Sequence, residues 1–145
     1  MDGPLRFWIV RSVPSVVEVK AVFREAAWNL AELPKGIVIV SIIEAATLMP
    51  PDEVRASLAR HNEELAQHTL ASVVVAEGGL FRLASLRALI AGVGMIKRRR
   101  FPESVQGSVE DAAQWLLPLT AQAYPEVTHA RIVSLASATR KALED

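Results

Sequence analysis

Short runs of β-branched and aromatic residues alternate along this chain with longer stretches in which apolar residues recur every three or four positions. Runs of the first kind favour strands, and the three-to-four spacing favours amphipathic helices. The pattern predicts strands over residues 5–12, 16–23, 37–43 and 72–77, and a short extended segment ending near residues 102–103. It predicts helices over residues 24–33, 51–70, 80–96, 109–117 and 125–143.

Two of the predicted strands set the expected topology. Residues 16–23 read VVEVKAVF, and their period of two predicts a half-buried strand paired antiparallel with residues 5–12 across a short turn. Residues 37–43 read IVIVSII, which is typical of a strand buried on both faces. Because βα units alternate after this point, the predicted fold class is α/β. We expect a mixed sheet of about five strands with parallel central strands, flanked by about five helices.

A chain of 145 residues without internal repeats predicts one domain over residues 1–145. Its core is expected over about residues 5–117, with an additional C-terminal helix over about residues 125–143. That helix carries a moderately apolar stripe, Ile132, Leu135, Ala136, Thr139 and Leu143. We expect the stripe to pack on its own domain, and a homodimer is the alternative. The three tryptophans are expected to anchor the core.

The element order resembles that of the STAS domain of anti-sigma-factor antagonists and of the related lipid-binding SEC14-like families. Residues 101–116, FPESVQGSVEDAAQWL, resemble the closing segment of degenerate STAS-like proteins, in which an "F.s..eA..WL" pattern joins the last strand to its helix. Residues 7–23 resemble the first hairpin of that group. The resemblance implies a STAS-like fold over residues 5 to about 117 and a regulatory or protein-interaction function.

One segment departs from the family pattern. Active antagonists carry an Asp-Ser pair at the start of the helix after the buried third strand, and a kinase phosphorylates that Ser. The corresponding residues here read TLMPPD, from Thr47 to Asp52, with prolines at the expected phosphoacceptor position. Since proline has no hydroxyl, we expect the family's phospho-switch to be absent, and Thr47 is the nearest hydroxyl.

Composition narrows the classes of function. Lys plus Arg and Asp plus Glu both number 16, and this zero net charge argues against general electrostatic binding to nucleic acid or to an anionic membrane. The absence of cysteine excludes disulfides, thiolate metal sites and thiol chemistry. We find neither a signal-peptide pattern nor an apolar stretch long enough to span a membrane. The expected location is the cytoplasm.

The candidate site lies where the predicted parallel strands end, because open α/β sheets bind ligands outside the carboxyl ends of their strands. Glu44 follows one such strand and Glu77 ends the next, and they could form an acid–base pair if they converged. Candidate residues on the adjoining loops and helices are Thr47, Asp52, His61 and Arg82. His61 and His68 stand two helical turns apart, too far to bind one ion together, so no metal or other cofactor is predicted.

Three functional hypotheses follow. The leading one is a non-enzymatic, STAS-like module for protein interaction or regulation, with a protein partner. The alternative is a SEC14-like protein that binds an apolar small molecule or lipid between the sheet and the last helices. The third is an enzyme that uses Glu44 or Glu77, and no catalytic residue is assigned for it.

Overall fold

Four parallel strands form the centre of the structure, a computed structural model that describes residues 3–44, 50–79, 84, 87 and 101–144. The strands are β1 (Leu5–Val10), β2 (Ile37–Ile43), β3 (Thr69–Ala76) and β4 (Glu103–Gln106), in the spatial order β1-β2-β3-β4. The helices are α1 (Val16–Ala26), α2 (Asp52–Leu65), α3 (Val109–Thr120) and α4 (His129–Glu144). Short 3₁₀ turns occupy Leu30–Glu32 and Ala66–His68. The predicted α/β class is therefore confirmed.

Helices on both sides of the sheet explain why β2 is so apolar. β2 lies between β1 and β3, and Val40 is in register with Phe7 on one side and Val73 on the other. Val38, Val40 and Ile42 are fully buried in a core that they share with residues of α3 and α4. The alternate residues point to the opposite sheet face, from which Arg6 of β1 reaches the end of α1.

The prediction of a strand over residues 16–23 is wrong, because this segment is the helix α1. The Ser15 hydroxyl accepts a hydrogen bond from the Glu18 N–H, which satisfies a free donor in the first helical turn. The buried Val19 and half-buried Phe23 then share one side of the helix. A strand would place Val17 and Val19 on one face. Their exposed fractions differ sharply instead, since Val17 is 77% exposed and Val19 is fully buried. The antiparallel pairing is wrong for the same reason, and β1 pairs in parallel with β2.

Other predicted boundaries also shift. The described sheet has four strands, all parallel, and the described residues form four α-helices, where about five of each were expected. Residues 24–33 divide into the end of α1 and a 3₁₀ turn, and the helix predicted over 51–70 gives way to β3 at Thr69. The helix predicted over residues 80–96 falls outside the described residues except at Ala84 and Arg87, both helical.

A tight contact at the amino end of the sheet joins three parts of the chain. Tyr124, between α3 and α4, donates a hydrogen bond from its hydroxyl to the Gly36 carbonyl at 2.7 Å. Burial, with a contribution from Glu126, raises the pKa of Tyr124, so its hydroxyl stays protonated and donates at neutral pH. Gly36 has φ +97°, and a Cβ there would lie 2.9 Å from the His68 carbonyl oxygen and 3.0 Å from the Leu70 nitrogen. This glycine lets the start of β2 approach the start of β3.

We predict that Gly36→Ala destabilises the protein far more than Gly79→Ala. Both positions have φ near +95°, a strain of about 1–3 kcal/mol for a residue with a side chain. Only at Gly36 would the new Cβ meet backbone atoms, since nothing lies within 4 Å of a Cβ at Gly79. Urea unfolding of the two variants measures the difference. Equal midpoints would mean that the backbone at His68 and Leu70 yields without cost.

Candidate functional site

The carboxyl edge of the sheet brings together three charged residues that directly follow strands. The backbone N–H of Glu44 donates to the Val10 carbonyl, and that of Glu77 donates to the Ile43 carbonyl, both at 3.1 Å. These hydrogen bonds continue the strand register beyond β1, β2 and β3. Arg11, Glu44 and Glu77 therefore lie side by side, each directly after one of three adjacent strands. Glu44 and Glu77 therefore share one edge of the sheet, as the sequence predicted.

Each of the two carboxylates is paired with a different arginine. Glu44 Oε1 accepts a hydrogen bond from Arg11 Nε at 3.0 Å. Glu77 Oε1 lies 2.6 Å from Arg140 Nη2 of α4. The Arg140 Nε and Nη2 groups make no hydrogen bond of good geometry, so this second contact is an ion pair without a well-directed hydrogen bond. Arg11 Nη2 also lies 3.7 Å from Glu144 Oε1.

This ionic cluster ties the end of α4 to the sheet and leaves no shared acid–base pair. Each carboxylate faces its own arginine, so the two carboxylates are not paired with each other. The side chains of the two Arg11 pairs are partly exposed, so solvent screens their attraction and each of these pairs adds little stability. In the third pair Arg140 Nη2 is a buried atom. The cluster therefore explains the orientation of α4 and gives little support to an enzymatic reaction at Glu44 and Glu77.

The other candidate residues lie apart from this cluster. Asp52 begins α2, is exposed, and forms an ion pair with Arg55 one turn later. His61 lies nine residues further along α2, about 14 Å by helical rise. Its buried ring meets Phe23 of α1 edge-on, with the ring centroids 5.1 Å apart. Thr47 and Arg82 lie outside the described residues.

Two buried polar atoms of α2 have no hydrogen-bond partner. They are Ser57 Oγ and His61 Nδ1, one helical turn apart on the side of α2 that is buried. An unpaired buried polar group costs about 1–3 kcal/mol. The sequence suggested His61 as a candidate for its chemistry, and the structure places it in the packing between α1 and α2.

Arg6 is a buried residue that sequence reasoning missed. It is 3% exposed, and its guanidinium donates to the carbonyls of Ala26 at 3.1 Å and Trp28 at 2.8 Å, at the end of α1. A third hydrogen bond reaches the Gly3 carbonyl at 2.6 Å. Burial lowers the pKa of this guanidinium from its ordinary value, which is far enough above neutrality to keep the charge. A lone arginine within the apolar run LRFWIV was the available signal.

The end of α1 that Arg6 holds presents an exposed aromatic residue. Trp28 is 67% exposed, so the expectation that all three tryptophans anchor the core is wrong. The remaining exposed large apolar side chains among the described residues are Val13, Val16, Val17 and Leu143. Four of these five side chains therefore belong to α1 or to the residues directly flanking it.

We call the exposed side of this helix the α1 outer face. Its members share solvent exposure and a helical spacing of three or four: Val17, Lys20, Ala21, Arg24 and Trp28, with Val13 and Val16 at its first end. The two acidic residues of α1, Glu18 and Glu25, fall about 80–100° around the helix from Val17, on the flank opposite to Val16. The centre of the face, between these two flanks, is therefore apolar and cationic.

Comparison with known proteins identifies no relative. No family model matches the chain, and neither the curated proteins nor the solved structures contain a match. Over the part of the chain that the structure describes, no helix is both long and apolar enough to cross a membrane. The same residues include no group of three or more His, Asp or Glu side chains placed to hold one metal ion.

Proposed function

We propose that this chain is a non-enzymatic protein-interaction module. The observation that supports the proposal is the concentration of exposed apolar side chains on α1 and its flanking residues. Scattered single apolar residues are normal on a protein surface, whereas exposed apolar residues concentrated on one element favour an interaction site. A STAS-like fold and a regulatory role remain part of the proposal, carried by the resemblance of residues 101–116 alone, because residues 16–23 form a helix and not the second strand of a hairpin.

The pairing of Glu44 and Glu77 with separate arginines favours this proposal over the enzymatic hypothesis.

The start of α2 also bears on the regulatory role. Pro51 is the N-cap of α2 and Asp52 its first residue, so the helix begins without the serine that a STAS-type kinase would modify. A module of this kind would act when a partner protein occupies its binding surface.

Binding of an apolar small molecule is less well supported by the packing. Leu116 of α3 and Ile132 of α4 are fully buried against the sheet. A ligand between the sheet and these helices would have to displace such side chains. The hypothesis that the protein binds an apolar small molecule or lipid therefore lacks a specific observation in its favour.

The proposal predicts that the protein purifies from its natural source with a protein partner whose binding depends on Val17. After reconstitution from purified components, Val17→Asp should weaken binding at least tenfold, because it places a charge within a desolvated apolar contact. Leu143→Asp is the matched control, since Leu143 is an exposed apolar residue of α4. Recovery of the chain with only a lipid or other small molecule, unaffected by Val17→Asp, would contradict the proposal.

A further inference from the structure

The charge distribution on α1 indicates which kind of partner its outer face fits. Lys20 and Arg24 are both exposed and lie between the apolar residues Val17 and Trp28. A partner that contacted the two apolar ends would also cover these two cations. Burying a cation without a counter-charge is costly, so the partner must supply acidic groups between its own apolar contacts.

A second copy of the chain that pairs α1 antiparallel across a two-fold axis does not meet this requirement. Such an axis keeps each flank of the helix against the same flank of the partner helix. Lys20 and Arg24 of one copy would then face Lys20 and Arg24 of the other, and like charges in contact repel. The flank with Glu18 and Glu25 would likewise face itself. Antiparallel self-association through this face is therefore disfavoured.

A lipid surface also fits less well than a protein. Val17 lies in the first turn of α1, and Trp28 lies two residues beyond its last residue, Ala26, so the two apolar side chains stand near opposite ends of the helix. Lys20 and Arg24 lie between them on the same side, so insertion of both apolar ends into a bilayer would draw the cations towards the hydrocarbon. Interfacial helices instead keep their cations on the polar face.

From these observations we propose that the α1 outer face binds an acidic amphipathic helix of a partner protein. Apolar side chains at the two ends of that helix contact Val17 and Trp28, and carboxylates between them pair with Lys20 and Arg24. Trp28 is suited to this role because Arg6 holds its backbone carbonyl, so the backbone that carries the indole is fixed before binding. The inference rests on the proposed function and specifies its partner.

The test is selection of binding peptides from a random library of about 15 residues, enough for four helical turns. Selection uses the full chain and the double variant Lys20→Glu/Arg24→Glu. Peptides selected on the natural chain should carry at least two acidic residues between apolar ones. They should bind the double variant roughly tenfold or more weakly, and peptides selected on the variant should be basic instead.

The matched control is Arg131→Glu/Lys141→Glu, which makes the same change in net charge on the exposed side of α4. It should bind the acidic peptides as the natural chain does, whereas Trp28→Ala should lose them. Selection of peptides without acidic enrichment, or equal binding by both double variants, would refute the inference. So would salt-sensitive binding to phosphatidylserine vesicles in the absence of any peptide that binds.

The proposed function and this inference fail separately. A natural protein partner that needs Val17 but tolerates reversal of Lys20 and Arg24 would leave the interaction module standing and refute the acidic helix. A chain that recovers no protein partner at all would contradict the proposed function itself.

Discussion

Val40→Asp is expected to abolish cooperative folding of this protein. Val40 is fully buried at the centre of β2, with Phe7 and Val73 beside it on the neighbouring strands. A carboxylate at this point would be desolvated without a cation or hydrogen-bond donor near it in the apolar core. That penalty is several kcal/mol, which is comparable to the total stability of about 5–15 kcal/mol of a typical domain.

The measurement is urea unfolding followed by circular dichroism, with Leu143→Asp as the matched control. Leu143 is 55% exposed near the end of α4, so the same carboxylate stays hydrated there and should shift the midpoint little. A Val40→Asp protein that unfolds cooperatively within about 1 kcal/mol of the natural chain would contradict the burial of β2 at the centre of the core.

The part of the fold that the sequence predicted well depends on burial from both sides. Residues 37–43 could be assigned to a central strand because covering helices require apolar side chains on both faces, which leaves a nearly continuous β-branched run. Ser108 stands directly before the helix predicted over residues 109–117 and is of a residue type that favours helix N-caps, and its hydroxyl accepts a hydrogen bond from the Asp111 N–H. In both cases the local preference of the residues, for a strand or for a helix N-cap, agrees with the tertiary packing.

Residues 16–23 show why the rest was harder. The sequence VVEVKAVF fits a strand by its alternation and a helix by the spacing of Val19, Val22, Phe23 and Ala26. Its β-branched residues favour the first interpretation, and the Ser15–Glu18 cap favours the second. The helix forms because it packs against α2 and connects two parallel strands, and neither condition is visible within the segment itself.

The candidate site was predictable in position and much less so in its contacts. Register alone places Glu44 beside Glu77, because adjacent parallel strands end together. Their partners are Arg11, which follows β1, and Arg140 of α4, which is far away in the sequence. The α1 outer face could not be predicted while the segment was interpreted as a strand, because its residues share a side only in a helix.

The C-terminal helix is the second element whose loss should be severe. Val127, Ile132 and Ala136 are buried in the core that α3 and the sheet also line. The expectation that the stripe of α4 packs on its own domain is therefore confirmed for Ile132 and Ala136, whereas Leu143, its last member, is 55% exposed. Full burial of an apolar side chain of the size of valine or isoleucine contributes about 1.5–3 kcal/mol. Deleting residues 126–145 removes these contributions and exposes the apolar face of β1 and β2 that they cover.

We expect the 126–145 deletion to be insoluble or to lack a cooperative thermal transition, as measured by calorimetry and size-exclusion chromatography. Its matched control is truncation after Lys141, which removes exposed residues including Leu143 and Glu144 but keeps Ile132, Ala136 and Arg140. The short truncation should shift the melting temperature only slightly, since it breaks the solvent-screened contact between Arg11 and Glu144 and no core contact. If the long deletion melts where the full chain does and keeps the same oligomeric mass, the stripe of α4 has no packing role and this interpretation is wrong.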